Sequence, residues 1–455
     1  MKLIWIKDVE SLSFNDKGIS NLIELKCWVR SNRDSGKIGF IVGYDGSTLN
    51  DIQIVYKREL TKNFDVAKTI RSSAAIYVKG YAQRNPNMSD SFEIIAEEIL
   101  LLKQSTEDNP LQKKQHSYEF LREIAHLRGR TKTMQAIMNV RNALAYSIHK
   151  FFQDNNFYWI STPILTSNDC EGAGENFNIE ENADNPFFTP KAKLTVSGQL
   201  NAECYAQALG RVYTFGPTFR AERSHTNRHM AEFWMVEPEI AFINLDQLIV
   251  IIETFIKTIV KNTMEKCPKA IEFFAKNKPE INKRLDKLIN DKFVKITYSE
   301  VIKILKKAIQ DGHKFEDNDI FFGKDLASEH ERYICEHVYN CPVFVYNYPK
   351  DIKAFYMKLN DDDQTVAAVD LLVPGVGEII GGSQREDDYD KLIKRVNDLK
   401  IDVKSIQWYV DLRKYGYESS AGFGLGFERL IMYILDLENI RDAIPFPRYE
   451  GKLLF

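Results

Sequence analysis

The sequence predicts an α+β protein in two parts: a small N-terminal β-barrel, then a larger domain mixing sheet and helix. Three observations carry that expectation. Residues 1 to about 103 hold five short alternating apolar runs separated by turn signals. Apolar residues at helical spacing dominate Met134 to Phe152 and Leu245 to Met264. Between them, Tyr213 to Glu239 (YTFGPTFRAERSHTNRHMAEFWMVEPE) reads as strand, polar loop, strand.

In the first part, Leu22–Val29, Gly39–Val42, Ile52–Val55, Ala75–Tyr81 and Phe92–Leu102 are the expected strands, with a turn at Tyr44-Asp45-Gly46-Ser47. Five short strands in about 100 residues suit an OB-fold, which binds single-stranded nucleic acid on an exposed sheet face. Arg30, Arg33, Phe40 and Gln53 belong on that face. Phe40 is either a stacking platform for an unpaired base or a core residue; the other three either reach bases and phosphates or are solvated.

Residues 104–117 (QSTEDNPLQKKQHS) are polar, contain Pro110 and read as a linker or hinge. Residues 118–455 then form one domain. Its first helix starts at Tyr118, and a basic stretch (Arg122, His126, Arg128, Arg130) precedes the long amphipathic run. The strand Tyr158 to Pro163 ends in a proline that cannot donate to a ladder, which places it at a sheet edge or a subunit contact. A mainly helical segment at about 245–305 includes a lysine-rich stretch, read as a solvated face. Pro342–Tyr348, Ala354–Lys358, Ala367–Leu372 and Ile406–Asp411 are expected strands, and Gly426–Leu435 a helix.

Composition narrows the function classes. Hydrophobic content of 44% and charged content of 27% belong to an ordinary globular chain. A net charge of −3 leaves any nucleic-acid contact to local clusters. Six cysteines (27, 170, 204, 267, 335, 341) show no CxxC or paired-His spacing, which suits reduced thiols in the cytoplasm and not zinc. No apolar run approaches the ~18 residues of a membrane span, so no membrane role is expected.

The chemistry-bearing residues cluster in a few stretches. Arg220, Glu222, Arg228, His229 and Phe233 in the hairpin suit a triphosphate, an adenine face and a small zwitterion better than a core. Glu171 precedes Gly172-Ala173-Gly174 and either closes on a ligand or stands in water. Ser197 and Gln199 flank a strand-to-helix turn at Gly198. Asp370 and Glu378 lie on adjoining strand ends, followed by Arg385. They either hold Mg²⁺ between them and a phosphate or are surface acids at a glycine turn. Arg429, in the first turn of a helix after GFGLG, is well placed for a terminal phosphate.

Three of these stretches match together and in order. The helix and strand ending at Pro163, the hairpin with Phe219-Arg220-x-Glu222, and the glycine-rich strand and helix with Glu428-Arg429 resemble motifs 1, 2 and 3 of the class II aminoacyl-tRNA synthetases. With an OB domain in front, the resemblance is to the aspartyl, asparaginyl and lysyl subclass and covers nearly the whole chain. TSNDCEGAGENF, LTVSGQLNAE, NYPKDIKAFYM and PGVGEIIGGSQRE look like the bacterial asparaginyl branch. The aspartyl pattern QSP-Q with a downstream lysine is replaced by Val196-Ser197-Gly198-Gln199-Leu200-Asn201, without that lysine.

The resemblance implies a catalytic domain with an antiparallel sheet flanked by helices, and a homodimer. It implies an asparagine–tRNA ligase that uses ATP and Mg²⁺, activates L-asparagine and charges tRNA(Asn). Arg220 would hold the ATP α-phosphate, Phe233 would stack on adenine, and Arg429 would cover its other face or bind the γ-phosphate. Arg228 and His229 would reach the distal phosphates, and Asp370 and Glu378 would position Mg²⁺. Glu171 and Gln199, with Ser197 nearby, would bind the amino acid. Arg385 would donate to its side-chain oxygen and Glu222 accept from its amide. Phe40 and Gln53, with Arg30 and Arg33, would address the anticodon. An aspartate-charging enzyme of the same fold, a non-catalytic relative and an asparagine synthetase of related fold, against which the OB domain argues, remain the alternatives.

Overall fold

Strict alternation of Ile23, Leu25, Cys27 and Val29 turns one side of the first strand inward. The same pattern recurs in the next four strands. In the computed structural model, which describes residues 3–84, 91–168, 170, 176–182, 184–223 and 226–455, the result is a closed barrel. Its strands are β1 (Ile19–Asp34), β2 (Ile38–Tyr44), β3 (Ile52–Lys57), β4 (Ala75–Arg84) and β5 (Phe92–Lys103), in the order β1-β2-β3-β5-β4. Only β3 and β5 pair in parallel. Leu25, Ile41, Ile54, Tyr56, Val78 and Ala96 fill the interior. Bulges break the register at Val29/Ser31 in β1 and at Lys79/Gly80 in β4, bending the strands enough to close.

The chain divides into two compact units, Met1–Ala136 and Ile137–Phe455, with the boundary inside the helix Lys132–Asp154. After the irregular segment 104–117, Ser117 caps the helix Tyr118–Glu123 by accepting from Phe120 N–H.

The second unit is built on an eight-stranded sheet. Its members are β6 (Tyr158–Trp159), β9 (Arg211–Phe219), β10 (Glu232–Ala241), β11 (Val294–Thr297), β12 (Val343–Pro349), β13 (Thr365–Val373), β14 (Gly377–Gln384) and β15 (Ser420–Gly426). A short ribbon pairs β7 (Leu165–Thr166) with β8 (Lys193–Leu194). The order is β11-β12-β13-β14-β15-β10-β9-β6, antiparallel except for the outermost pairs β11–β12 and β6–β9. The strand that leads to Pro163 therefore sits at an edge, as the proline requires.

Helices cover the sheet. Leu245–Lys266 opens with a capping box between Asn244 and Gln247 and buries Leu248, Ile252, Phe255, Ile256 and Ile259. Phe255 packs on Phe423 of β15. In the lysine-rich segment, Lys278 and Arg284 both bind Asp436, just beyond the helix Phe427–Leu435. Those two charges are ligated, not merely solvated.

Three local expectations are corrected. Ile406–Asp411 is helical, within Val403–Asp411, because Ile406, Tyr409 and Val410 share one buried helical face and Asp402 caps it. Ala354–Lys358 is a turn after a short 3₁₀ segment; it meets the sheet through the bridge Met357–Arg385 and through backbone hydrogen bonds from Lys358 N–H to Gln384 O and from Ala367 N–H to Lys358 O. The helical segment is interrupted by β11, whose parallel pairing with β12 extends the sheet.

At the β4 bulge, a Cβ on Gly80 would collide with the Ile95 carbonyl, which is backbone and cannot yield. Gly80→Ala should lower barrel stability by about 1–3 kcal/mol. Faster hydrogen exchange of the β4 and β5 amides, with β13 unchanged, is the expected readout.

Candidate active site

Two strands of the large sheet have glycine where a side chain would fill the concave face. Gly381 lies on β14, and Gly422 and Gly424 lie on β15. Over Gly381 and Gly424 opens a cavity of about 370 Å³. A Cβ on Gly422 would collide with the Glu239 carboxylate, and one on Gly424 would press on Met235. The missing side chains make room for Glu239 and Met235 against the sheet.

One end of the cavity is cationic. Arg220 leaves β9 with its backbone N–H on Ala231 O at 3.0 Å and its guanidinium 5.4 Å from the Phe233 ring centroid. Arg429 rises from the first turn of Phe427–Leu435 and donates to Glu378 O at 3.2 Å. Beneath it, Glu428 is buried, salt-bridged to Arg141 at 2.7 Å and accepting Trp234 N–H at 3.0 Å. Those contacts fix where the arginine starts. His229 Nε2 lies 4.0 Å from Glu222 Oε2 at the rim. Burial, then the neighbouring Arg429, holds the His229 imidazole below its ordinary pKa. Burial, then Arg332, does the same to Arg228. Guanidinium groups crowded in this way leave room for a polyanion.

Carboxylates gather against this cluster, with Glu378 Oε2 3.5 Å from Arg429 Nη1. Asp370 pairs across from Gly381, and a β-bulge at Leu371/Leu372 sets Glu378 opposite Leu372. Glu378 Oε1 and Asp370 Oδ1 come within 2.9 and 3.3 Å of the point a Cβ on Gly381 would occupy. Buried Asp370 is pushed up to about 6 by desolvation, opposed by the Lys353 ammonium 2.7 Å away. Behind them Glu331 accepts Glu378 N–H at 3.1 Å. Burial, then Glu378 and Asp370, pushes Glu331 up to about 7. Among the described residues no three His, Cys, Asp or Glu side chains form a metal-ligand set. Two convergent carboxylate oxygens still fit a hard cation that takes its other ligands from phosphate and water.

The same cavity also holds a pocket suited to a small zwitterion. Ser197 Oγ donates to Glu237, Gly198 N–H donates to the same carboxylate at 3.0 Å, and Ser197 Oγ accepts Gln199 N–H at 3.1 Å. Gln199 is buried, and its Nε2 has no hydrogen-bond partner among the described residues. A buried amide without a partner is costly unless a ligand supplies one. Arg385 donates through Nε (3.0 Å) and Nη2 to Glu239, and through Nη1 to Ser383 Oγ at 2.5 Å. Two of its five N–H groups remain for the cavity it lines.

The structure thus brings Ser197, Gln199, Arg220, Glu222, Arg228, His229, Phe233, Asp370, Glu378, Arg385 and Arg429 to one cavity. Glu171 lies outside the described residues. Sequence reading missed Glu237, Glu239, Lys353, Tyr356 and Glu331. The first two had a signal: charged residues two apart in an otherwise apolar strand share one face.

On the barrel, Phe40 is half-buried on the outer surface and is not part of the interior cluster. It pairs with exposed Arg33 on one side and Val55 on the other. Gln53, also facing out, donates to Glu93 at 3.1 Å, as Gln83 does at 2.6 Å. Arg30 sits in the β1 bulge, tied to Asp51 (2.6 Å), Arg130 O (3.0 Å) and Gln135 (2.5 Å), with its guanidinium 3.9 Å from the Tyr44 ring centroid. Much of its hydrogen-bonding capacity is already used.

Comparison with known proteins matches one family model to each part of the chain. The family model described as tRNA synthetases class II (D, K and N) matches residues 117–450, and that described as OB-fold nucleic acid binding domain matches 23–102. The chain is similar to the asparagine–tRNA ligase of Malacoplasma penetrans, 53% identical over 459 residues covering all of both chains. That of Ureaplasma urealyticum is 52% identical over 95% of this chain and 96% of the relative. Among solved structures, asparaginyl-tRNA synthetase from Pyrococcus horikoshii complexed with asparaginyl-adenylate has a TM-score of 0.88 at 33% identity, covering 100% of this chain and 99% of that one. Aspartyl tRNA synthetase from Entamoeba histolytica, 20% identical, shares the fold with a TM-score of 0.81 over 100% of this chain and 92% of that one.

The crowding at Glu331 has a pH signature. Its folded pKa is raised, so the stability it contributes is complete below the ordinary carboxylate range and is lost as pH rises through about 7. Glu331→Gln keeps an oxygen for Glu378 N–H and removes the charge. Calorimetry should find the variant melting about 2–4 °C above wild type at about pH 8 and level with it near pH 4. A pH-independent difference would refute the cause.

Proposed function

We propose that this chain, which belongs to the class II tRNA synthetases of the D, K and N group, activates L-asparagine with ATP and transfers it to the 3′ end of tRNA(Asn). The observation that carries the reading is one cavity holding a guanidinium cluster, a carboxylate pair and a pocket with an unpartnered buried amide, in a chain 53% identical end to end to an asparagine–tRNA ligase.

The first step needs no protein nucleophile. The asparagine carboxylate attacks the α-phosphorus in line, and pyrophosphate leaves. Arg220 neutralises the charge that grows on the α-phosphate, and Phe233 carries the adenine on its face. Arg228, His229 and Arg429 receive the distal phosphates; burial keeps His229 a neutral donor. Asp370 and Glu378 would hold Mg²⁺, which when bound neutralises the phosphate oxygens. In the second step the terminal hydroxyl of tRNA attacks the adenylate carbonyl.

Selection of the amide follows from the pocket. Ala202, one turn into the helix Gln199–Leu209, is fully buried and brings no ammonium. Arg385 donates to the side-chain oxygen, and a carboxylate accepts from the amide N–H₂. Glu222 was the expected acceptor. Glu237 suits that role better, because it is buried and two residues from Arg385's partner Glu239, whereas Glu222 stands at the rim beside His229. Glu171 and the Gln199 side-chain oxygen accept from the ammonium, and Gln199 Nε2 donates to a ligand oxygen.

On the barrel, Phe40 stacks an anticodon base and Gln53, held by Glu93, reads its edge; Arg33 meets phosphate. Arg30 acts by shaping the bulge. A homodimer is supported by exposed Tyr158 and Trp159 on the edge strand β6, with exposed Tyr146 and Tyr205 on the helices Lys132–Asp154 and Gln199–Leu209. Among the described residues no helix is long and apolar enough to cross a membrane, and the free cysteines suit the cytoplasm.

Arg220→Ala should reduce asparagine-dependent ATP–pyrophosphate exchange by about 10³-fold with the fold intact; near wild-type exchange would sink the assignment. Phe40→Ala should weaken tRNA charging about tenfold or more and leave adenylate formation untouched. Equal loss of both activities would return Phe40 to a packing role.

A further inference from the structure

Behind the amino-acid pocket lies a second layer of charge. Glu203 sits one helical turn after Gln199 on the helix Gln199–Leu209 and is fully buried. Its carboxylate accepts from Arg413 Nη2 at 2.7 Å, Tyr417 Oη at 2.7 Å and Tyr409 Oη at 2.8 Å. Its Oε2 lies 4.0 Å from Arg385 Nε. Arg413 is held within the same layer, donating to Glu386 O at 2.9 Å and to Tyr409 O at 3.1 Å. Neither Glu203 nor Arg413 lines the cavity.

With Glu239 on the other flank of Arg385, the layer holds two guanidinium groups and two carboxylates, all buried. Such a set in a low-dielectric interior is tolerable only when its charges cancel. Cancellation has a consequence for the ligand. An amide gains from Arg385 only what a neutral hydrogen-bond acceptor can gain. A carboxylate would gain much more, but only if the guanidinium presented an uncompensated charge.

We propose that Glu203 is a positioning residue that sets the choice of asparagine over aspartate. With Glu239 it cancels the charge on Arg385 and Arg413, so the pocket offers N–H donors without a net positive field. The aspartate side chain then pays its desolvation and meets Glu237 with no cation to offset either. This inference rests on the asparagine-activating reading above and adds to it a determinant that never touches substrate.

The test is pyrophosphate exchange by the full chain with asparagine and with aspartate, read as the ratio of the two kcat/KM values. Glu203→Gln leaves one positive charge in excess and should lower the asparagine preference about tenfold or more, mainly through a lower KM for aspartate. Arg413→Gln leaves one negative charge in excess and should raise the preference. The charge-neutral double variant should return close to the wild-type ratio. A merely structural role predicts loss of activity in both single variants with the ratio unmoved or moved in the same direction, and either result overturns the proposal. If the single variants do not fold, a double variant with an altered ratio overturns it and one with the wild-type ratio supports it. Wild type inactive with asparagine would instead sink the functional reading itself; active wild type with unmoved ratios sinks this inference alone.

Discussion

The ion pair between Arg385 and Glu239 ties together strands that are not neighbours. Arg385 follows β14, Glu239 lies on β10, and β15 runs between them. The two side chains meet over Gly422, where any Cβ would collide with the carboxylate. Register makes this possible: Ser383 pairs with Gly422, and Gly422 with Glu239. Slipping one strand by a residue would send one charge to the opposite face and leave the other buried alone, a loss of about 3–5 kcal/mol. The pair therefore fixes the strand alignment from which the active cavity is built, and the same guanidinium faces the ligand.

That cavity sets opposite charges side by side. Arginines from a hairpin and a helix start meet carboxylates from two adjoining strands, with Arg429 Nη1 3.5 Å from Glu378 Oε2. A reaction in which one anion attacks another and a third leaves needs such a layout, because repulsion among the reactants is the main obstacle. No side chain has to form a covalent bond. Helix caps, bulges and buried pairs such as Arg141–Glu428 hold each charge in place before the ligand arrives.

Bulges do similar work in both units. In β13 and β14 an irregularity at Leu371/Leu372 lets Asp370 and Glu378 converge despite their separation along the chain. In β1 the bulge at Val29/Ser31 swings Arg30 onto Asp51 and Tyr44, away from the register of Arg33 and Phe40. In each case one extra residue re-aims a charged side chain.

The sequence by itself determined the order of elements, the barrel strands, the hairpin, and most of the residues that meet in the cavity. It could do so because alternation, helical period and glycine placement are local, and because clustered arginine and carboxylate are hard to explain as core. It misread Ile406–Asp411, where four apolar residues in six fit strand and helix alike and only packing against Leu392, Val396, Phe355 and Leu200 decides. It also passed over Glu237, Glu239 and Glu331. A carboxylate in an apolar run announces burial but does not name its partner, and Arg385 lies 146 residues from Glu239. What tertiary structure alone decided is which charges cancel. Glycines at Gly381 and Gly422 became meaningful once the strands beside them were in register, because space for a charge pair belongs to three strands at once and is written in none of them singly.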